Sequence, residues 1–247
     1  MLNASITHLL LALSRSLTDM MLKADMHMHA KGDPEDTFIK HTSEQLIDLA
    51  ASHSFDVLAI SAHGKVMFSK KLEIYARKKG ILLISGAEAN IEGRHVLIYN
   101  INEKELQKLK TFDDVRALKK KKDILVIAPH PFYPMSTCLQ EKLEENIDVF
   151  DAIEISHFYF HFIDFNRKSF KIAKKFNKPL VALSDTHHLW MFGRNYTLVD
   201  SKRDIKSYIS AIKKGKVRPV HHSMSLSVFI KEFRWIAKDQ IKELLTR

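Results

Sequence analysis

Cysteine is almost missing from this chain of 247 residues: Cys138 stands alone. That excludes an intrachain disulfide framework and any cysteine-based zinc cluster, and a reducing, cytoplasmic setting fits best. Glycine is scarce as well, with seven residues, none forming a G-x-G-x-x-G turn or a P-loop. A glycine-rich phosphate cradle is therefore excluded. No apolar run approaches the roughly 20 residues of a membrane span. The stretch Ile6–Leu13 is short and lacks a preceding basic region, so neither a signal peptide nor a membrane anchor is expected. Internal repeats and low-complexity linkers are absent from the sequence.

What is present is basic and rich in histidine. Lys and Arg number 39 against 29 Asp and Glu, a net charge of +10. Beyond residue 200 there are twelve basic and four acidic residues, so this segment alone carries +8. A solvated helix face explains such a segment, and attraction of nucleic acid or other phosphates is the competing reading. Fourteen histidines are unusual for this length, and their positions matter more than their number.

Short apolar runs alternate with amphipathic helical patterns. Strands are expected at Leu22–Met28, Phe55–Ser61, Ile81–Ser85, His95–Tyr99, Ile124–Ala128, Val149–Ile155, Leu180–Leu183 and Tyr196–Val199. Helices are expected at Ser43–Ser52, Ser69–Lys79, Lys104–Leu109, Phe112–Lys121, Leu139–Asn146, Asp164–Phe176 and Lys202–Lys214. Two further stripes, Ile6 to Met21 and Leu226–Leu245, suggest a helical extension at each end. Alternation of strand and helix implies an α/β chain with a parallel sheet, either open or closed. The expected division is a helical extension at 1–21, one domain at 22–220 and a basic amphipathic helix at 221–247.

The strand ends carry the chemistry. The first closes on Asp25-Met26-His27-Met28-His29 and the second on Ser61-Ala62-His63-Gly64. Gly86-Ala87-Glu88 follows the third, with His95 seven residues later. Pro129-His130, Glu154-Ile155-Ser156-His157 and Ser184-Asp185-Thr186-His187 end later strands. Parallel strands deliver their C-terminal ends to one face, where α/β sites form. Residues two apart on a strand share a face, which pairs His27 with His29 and Asp185 with His187. Imidazoles mixed with carboxylates suit divalent transition metals such as Zn, Mn or Fe rather than an all-oxygen Mg or Ca cage.

In that order, Asp25–His29, the His63 turn, Gly86–Glu88, Pro129–His130 and Asp185–His187 resemble the motifs of the PHP (polymerase and histidinol phosphatase) domain family, over roughly residues 22–220. The resemblance implies a distorted (β/α)7 TIM-like barrel, two or three metal ions and phosphoester hydrolysis. It implies His27, His29, Glu88 and Asp185 around a first ion, with Glu88 bridging to a second held by His95 and His130. It implies His63 and His187 at a third, completed by Asp33, Glu35 or Asp36, of which Glu35 is favoured by spacing. The family's second motif often reads Thr-Asp-His, whereas this chain has Ala62 before His63. The missing carboxylate bears on the third ion more than on hydrolysis.

The expectation is a metal-dependent hydrolase that cleaves a phosphomonoester, a small phosphorylated metabolite or nucleotide, through a metal-bound hydroxide. His63, His187 and Asp185 are the candidate catalytic groups, with His63 or His187 able to protonate the leaving oxygen. Lys65, Arg194, Lys31 and Arg94 are candidate phosphate-facing cations. The aromatic run His157–Phe162 is a candidate pocket wall, with His157 facing substrate. Nucleic acid stays open as a partner, so a PHP-type nuclease is the alternative. A non-catalytic metal-binding accessory module and a C–N or C–O hydrolase of related architecture come after it. No membrane partner is expected, and the sequence leaves the oligomeric state open.

Overall fold

A computed structural model describes residues 21–160, 163–231 and 234. The expected N-terminal extension and most of Leu226–Leu245 lie outside these residues, although 226–231 are helical. The first half of the fold runs β1 (Leu22–Asp25), α1 (Ser43–Ser52), β2 (Val57–Leu58), α2 (Lys70–Lys78), β3 (Leu82–Leu83), β4 (Gly86–Ile91) and β5 (Arg94–Tyr99). It continues through α3 (Glu103–Leu106), α4 (Phe112–Lys121), β6 (Leu125–Ala128), α5 (Lys142–Glu145) and β7 (Ala152–Ile155). The remainder is β8 (Tyr159–Phe160), β9 (Ile163–Asp164), α6 (Asn166–Lys175), β10 (Leu180–Ala182), β11 (Tyr196–Val199), α7 (Ile205–Lys213) and β12 (Val217–Val220).

Local chemistry sets the helix starts. Thr42 and Gln45 form a reciprocal capping box ahead of α1, and Thr111 with Asp114 does the same for α4. Ser69 and Asp204 cap α2 and α7 through their side-chain oxygens. Lys119, Lys120 and Lys121 occupy the last turn of α4, where the helix dipole favours cations.

The α/β class is as expected, but the sheet is neither wholly parallel nor one continuous ladder. Five strands line up as β12-β11-β1-β2-β3 and five as β10-β7-β6-β5-β4, with β8-β9 a separate hairpin. Strands β1-β2-β3 and β6-β7-β10 pair in parallel. Strands β11, β12, β4 and β5 pair antiparallel. The β4–β5 hairpin accounts for part of the difference. Glu92 and Gly93 both have positive φ, 51° and 76°, the backbone of a two-residue hairpin turn matched to strand twist. A short Glu-Gly turn inside a mixed polar and apolar run is easily passed over in sequence.

No closed barrel ladder forms among the described residues; isolated bridges bring the two sheets together instead. Met28 pairs with Thr186 and His63 pairs with Glu88, each in parallel register. Lower down, the Thr197 hydroxyl donates to the Ala182 carbonyl and accepts from its N–H, standing in for a strand partner. Ala24, Met26 and Val57 from one sheet pack with Leu97, Leu125, Ile127 and Val181 from the other in a single buried cluster. The buried Tyr99 hydroxyl crosses that cluster to donate to the Met26 carbonyl at 2.7 Å. Gly86 lies against the same ring, where an added Cβ would sit 2.3 Å from Tyr99 Cδ1, so no other residue fits. Among the described residues no helix is long and apolar enough to cross a membrane.

Candidate metal centre

The bridges gather the strand ends into one buried cluster. His27 Nε2 lies 3.1 Å from Glu88 Oε2 and 3.3 Å from Asp185 Oδ1. His29 Nε2 lies 3.4 Å from Glu88 Oε2 and 3.3 Å from Asp185 Oδ1. These four residues, the set implied for a first ion, therefore converge. Glu88 Oε1 faces His95 Nδ1 at 2.9 Å and His130 Nε2 at 3.3 Å, uniting the set implied for a second. His63 Nε2 approaches Glu88 Oε2 at 3.2 Å, so Glu88 stands at the middle of the cluster.

The third set separates its three acidic candidates. Asp36 Oδ2 is 2.9 Å from His187 Nε2 and 3.4 Å from His63 Nδ1. Asp33 accepts from His29 Nδ1–H at 2.8 Å and from the His63 backbone N–H at 3.1 Å, and its Oδ1 lies 3.1 Å from His63 Nδ1, so it shares that ring with Asp36. Glu35, favoured by spacing, is exposed and lies 4.0 Å from His95 Nε2, forming a separate potential group with His63 and His95. Asp36, not Glu35, sits between His63 and His187.

Burial makes this arrangement unusual. Nine buried side-chain atoms among the described residues have no hydrogen-bond partner. Five of them belong to His29, Asp36, Glu88, His95 and Asp185 of the cluster; Asp25, Glu154 and His157 border it, and the ninth is Ser169 Oγ. Leaving one such atom unpaired costs about 1–3 kcal/mol, and more if it is charged. A cation shared among the five cluster atoms removes that cost, so the donor set fits divalent metal. Two of the donors also sit on disfavoured backbone: His130 and Asp185 have positive φ, 25° and 48°, a strain that collects at functional sites.

The electrostatics follow from mixing rings and acids. Burial opposes charge on His63 and His187, but neighbouring carboxylates outweigh it and raise both to about 9. His27 and His130 go well above the usual imidazole range, burial again being overcome, by Asp185, Glu154 and Glu88 in one case and Cys138 and Glu88 in the other. Burial alone would raise Glu88 and Asp185, yet the surrounding imidazoles hold both well below the carboxylate range. His157 behaves oppositely: burial first, then the nearby His187, His130 and His27, push it down to about 4.

The candidate substrate groups divide. His157 Nδ1 is 3.7 Å from Asp185 Oδ2 and lines a small cavity with Trp190, Arg194 and His222. Arg194, half-buried there, donates to the Ser223 carbonyl at 3.4 Å. Lys65 is exposed and donates to the Gly32 carbonyl at 3.3 Å, beside the loop carrying Asp33 and Asp36. Arg94 is not turned toward the cluster; it donates to the carbonyls of Ser136 and Cys138. Of the aromatic run, Phe158 packs against Phe229 and Tyr133, while 161–162 lie outside the described residues.

Sequence reasoning gave no role to Glu154 or Cys138. Glu154 Oε2 accepts from His27 Nδ1–H at 3.0 Å, both residues being buried. Its signal was an acid inside the apolar strand Ala152-Ile153-Glu154-Ile155. Nothing local marks Cys138, which reaches His130 only through the fold.

Comparisons with known proteins agree on the fold. The PHP-associated family matches residues 164–217. A two-domain protein from Bacteroides vulgatus, described as containing a PHP-like metal-dependent phosphoesterase, is 18% identical with a TM-score of 0.65 over 82% of this chain. This chain spans 65% of that protein's length. PsfC from Pseudomonas syringae is 14% identical with a TM-score of 0.58, covering 90% of this chain and 99% of its own. A metal-dependent phosphoesterase candidate from Bifidobacterium adolescentis is 14% identical with a TM-score of 0.50, covering 67% and 87%. No curated protein matches the chain.

Proposed function

The family match and the shared fold support a PHP-domain protein, and from that premise we propose that the chain is a metal-dependent phosphoesterase acting on a small phosphomonoester. The observation that carries this reading is the convergence of buried imidazole nitrogens and carboxylate oxygens from His27, His29, Asp36, His63, Glu88, His95, His130 and Asp185, five of which keep an atom without a hydrogen bond. His27, His29, Glu88 and Asp185 would hold one ion, Glu88, His95 and His130 a second, and Asp36, His63 and His187 a third. Zn, Mn or Fe suits this mixture of imidazole and carboxylate. Such ions supply Lewis-acid charge against phosphoryl oxygens and make water acidic enough to attack near neutral pH.

The chain's own groups divide the remaining work. Glu154 and Asp33 fix the Nδ1–H tautomers of His27 and His29, leaving Nε2 of each facing inward. His157 stays neutral at pH 7 and, with Arg194, borders a cavity with room for about one water molecule, so the two would face the edge of a substrate rather than enclose it. Lys65 attracts the phosphate from the open side.

Purified protein loaded with Mn or Zn is expected to hydrolyse p-nitrophenyl phosphate, and His27→Ala to abolish turnover. Inactivity across a phosphorylated-metabolite panel at full metal loading would remove this reading. One observation favours oligonucleotides instead. An open groove of about 690 Å³ runs along α2, lined by Lys65, Phe68, Lys71, Tyr75 and Lys78. Cations alternating with aromatics suit a single strand. Turnover of short oligonucleotides in preference to monoesters, falling steeply with salt, would select that reading.

A further inference from the structure

Histidines of the centre turn one ring nitrogen toward the cluster and the other toward a protein group behind it, Asp33 lying 3.1 Å from His63 Nδ1 and the Asp185 carbonyl 2.9 Å from His187 Nδ1. Those groups differ. Glu154 stands behind His27 at 3.0 Å and Asp33 behind His29 at 2.8 Å, both carboxylates. Behind His130 Nδ1 is the buried sulfur of Cys138, 3.3 Å away. On the opposite side, His130 Nε2 faces Glu88 Oε1, a buried oxygen with no hydrogen-bond partner, at 3.3 Å. A neutral imidazole that binds a cation through Nε2 carries its proton on Nδ1, so the sulfur must act as acceptor.

The thiol is held in place by the fold. The His95 backbone N–H donates to the Thr137 carbonyl at 2.8 Å, and Cys138 N–H donates to the Met135 carbonyl at 3.2 Å. The Arg94 guanidinium clamps the Cys138 carbonyl at 2.9 Å and also grips that of Ser136. The start of β5 therefore supplies both His95 and the anchor of the loop that backs His130. His130 itself sits on disfavoured backbone, with φ 25°, a strain that its surroundings must hold in place.

We propose that Cys138 is a positioning residue for His130: its sulfur accepts the Nδ1–H, fixes tautomer and ring plane, and so governs the single ion position shared by Glu88, His95 and His130. The proposal rests on the metal-centre reading above and extends it to a residue that touches no ion. It sets this position apart from the carboxylate-backed ones, because sulfur is the weaker and more polarizable acceptor.

The test is metal titration of the full chain with Mn and with Zn against a competing chromophoric chelator, for wild type, Cys138→Ala and Cys138→Ser. Losing an outer partner typically weakens metal binding by about 10–100-fold. Cys138→Ala is expected to weaken one metal equivalent by about tenfold or more and leave the others as in wild type. Cys138→Ser keeps an acceptor and is expected to recover most of that loss, with metal-free melting points alike. The proposal is overturned if Cys138→Ala binds every equivalent as wild type does, or if Cys138→Ser is no better than Cys138→Ala. It is equally overturned if all equivalents weaken together with the melting point, which marks a packing role. A thiolate charge-transfer band in the cobalt-loaded wild type, lost in Cys138→Ser, would mean direct ligation and overturn it as well. Wild type that takes up no metal overturns the metal-centre reading itself, a separate outcome in which no variant need be compared.

Discussion

Two charged regions of this molecule obey opposite rules. Along the rim beside α4, Arg116 donates to both carboxylate oxygens of Asp148 at 2.6 and 2.8 Å, to Asn146 at 3.0 Å and to Asp113 at 2.8 Å. Lys119 nearby reaches Asp151 at 2.8 Å and the Val149 carbonyl at 2.5 Å. Each charge there meets a partner, and water covers whatever remains. At the strand ends the groups are largely buried, and several polar atoms still lack a hydrogen-bond partner. Exposed pairs close on themselves and contribute little; buried groups that stay open are complete only with something added.

The sharpest break in that contrast is His27→Ala, which takes away the ring placed between Glu88, Asp185 and Glu154. Turnover of p-nitrophenyl phosphate is expected to fall to background, with metal content per chain dropping in the same preparation by elemental analysis. Stripping metal with a chelator comes next. At a metal concentration about 100 times Kd, bound metal stabilises by about 2.7 kcal/mol. At about 2–4 °C per kcal/mol for a chain of this size, chelation should lower the melting temperature by roughly 5–10 °C. An unchanged melting curve would make the centre a self-sufficient polar network like the rim.

Glu154→Gln is expected to weaken metal binding by about 10–100-fold in a chelator competition while preserving the fold. The pH response sharpens the contrast further. His63 and His187, raised to about 9 in the metal-free protein, are protonated at pH 7.5, so an entering cation must displace those protons. Glu88 and Asp185, held low, are already ionised and release none. Metal affinity should therefore climb from pH 6.5 and level off above about pH 9, with proton release in weak buffer as the direct measure. Arg116→Ala, at the rim, is the smallest effect: about 0.2–1 kcal/mol of stability by denaturant titration, diminished by salt, with metal content untouched.

The sequence made the centre more legible than the frame around it. His27, His29, Glu88, His130, Asp185 and His187 could be read because a strand end fixes which face a residue occupies, and each sits beside a marked apolar run. Antiparallel β4, β11 and β12 were harder, since pairing direction is set by where a strand returns and not by its own periodicity. That Asp36 and not Glu35 lies between His63 and His187 depends on the path of the loop after His29, which adjacent positions cannot convey. Glu154 and Cys138 meet His27 and His130 only through the fold, so those contacts are visible only in three dimensions.

The backbone seam between the first and last motifs bears on how the protein comes to exist at all. Ser184 donates to the Asp25 carboxylate and to the His27 carbonyl across separations of 159 and 157 residues, next to the Met28–Thr186 bridge. Closing so long a stretch of chain is among the slower events in folding. His27 and Asp185 become neighbours only once it has closed. Intermediates that lack the seam have half a ligand set, so tight metal uptake during refolding would time the last step of assembly, and a nascent chain would stay metal-free until its final motif had docked.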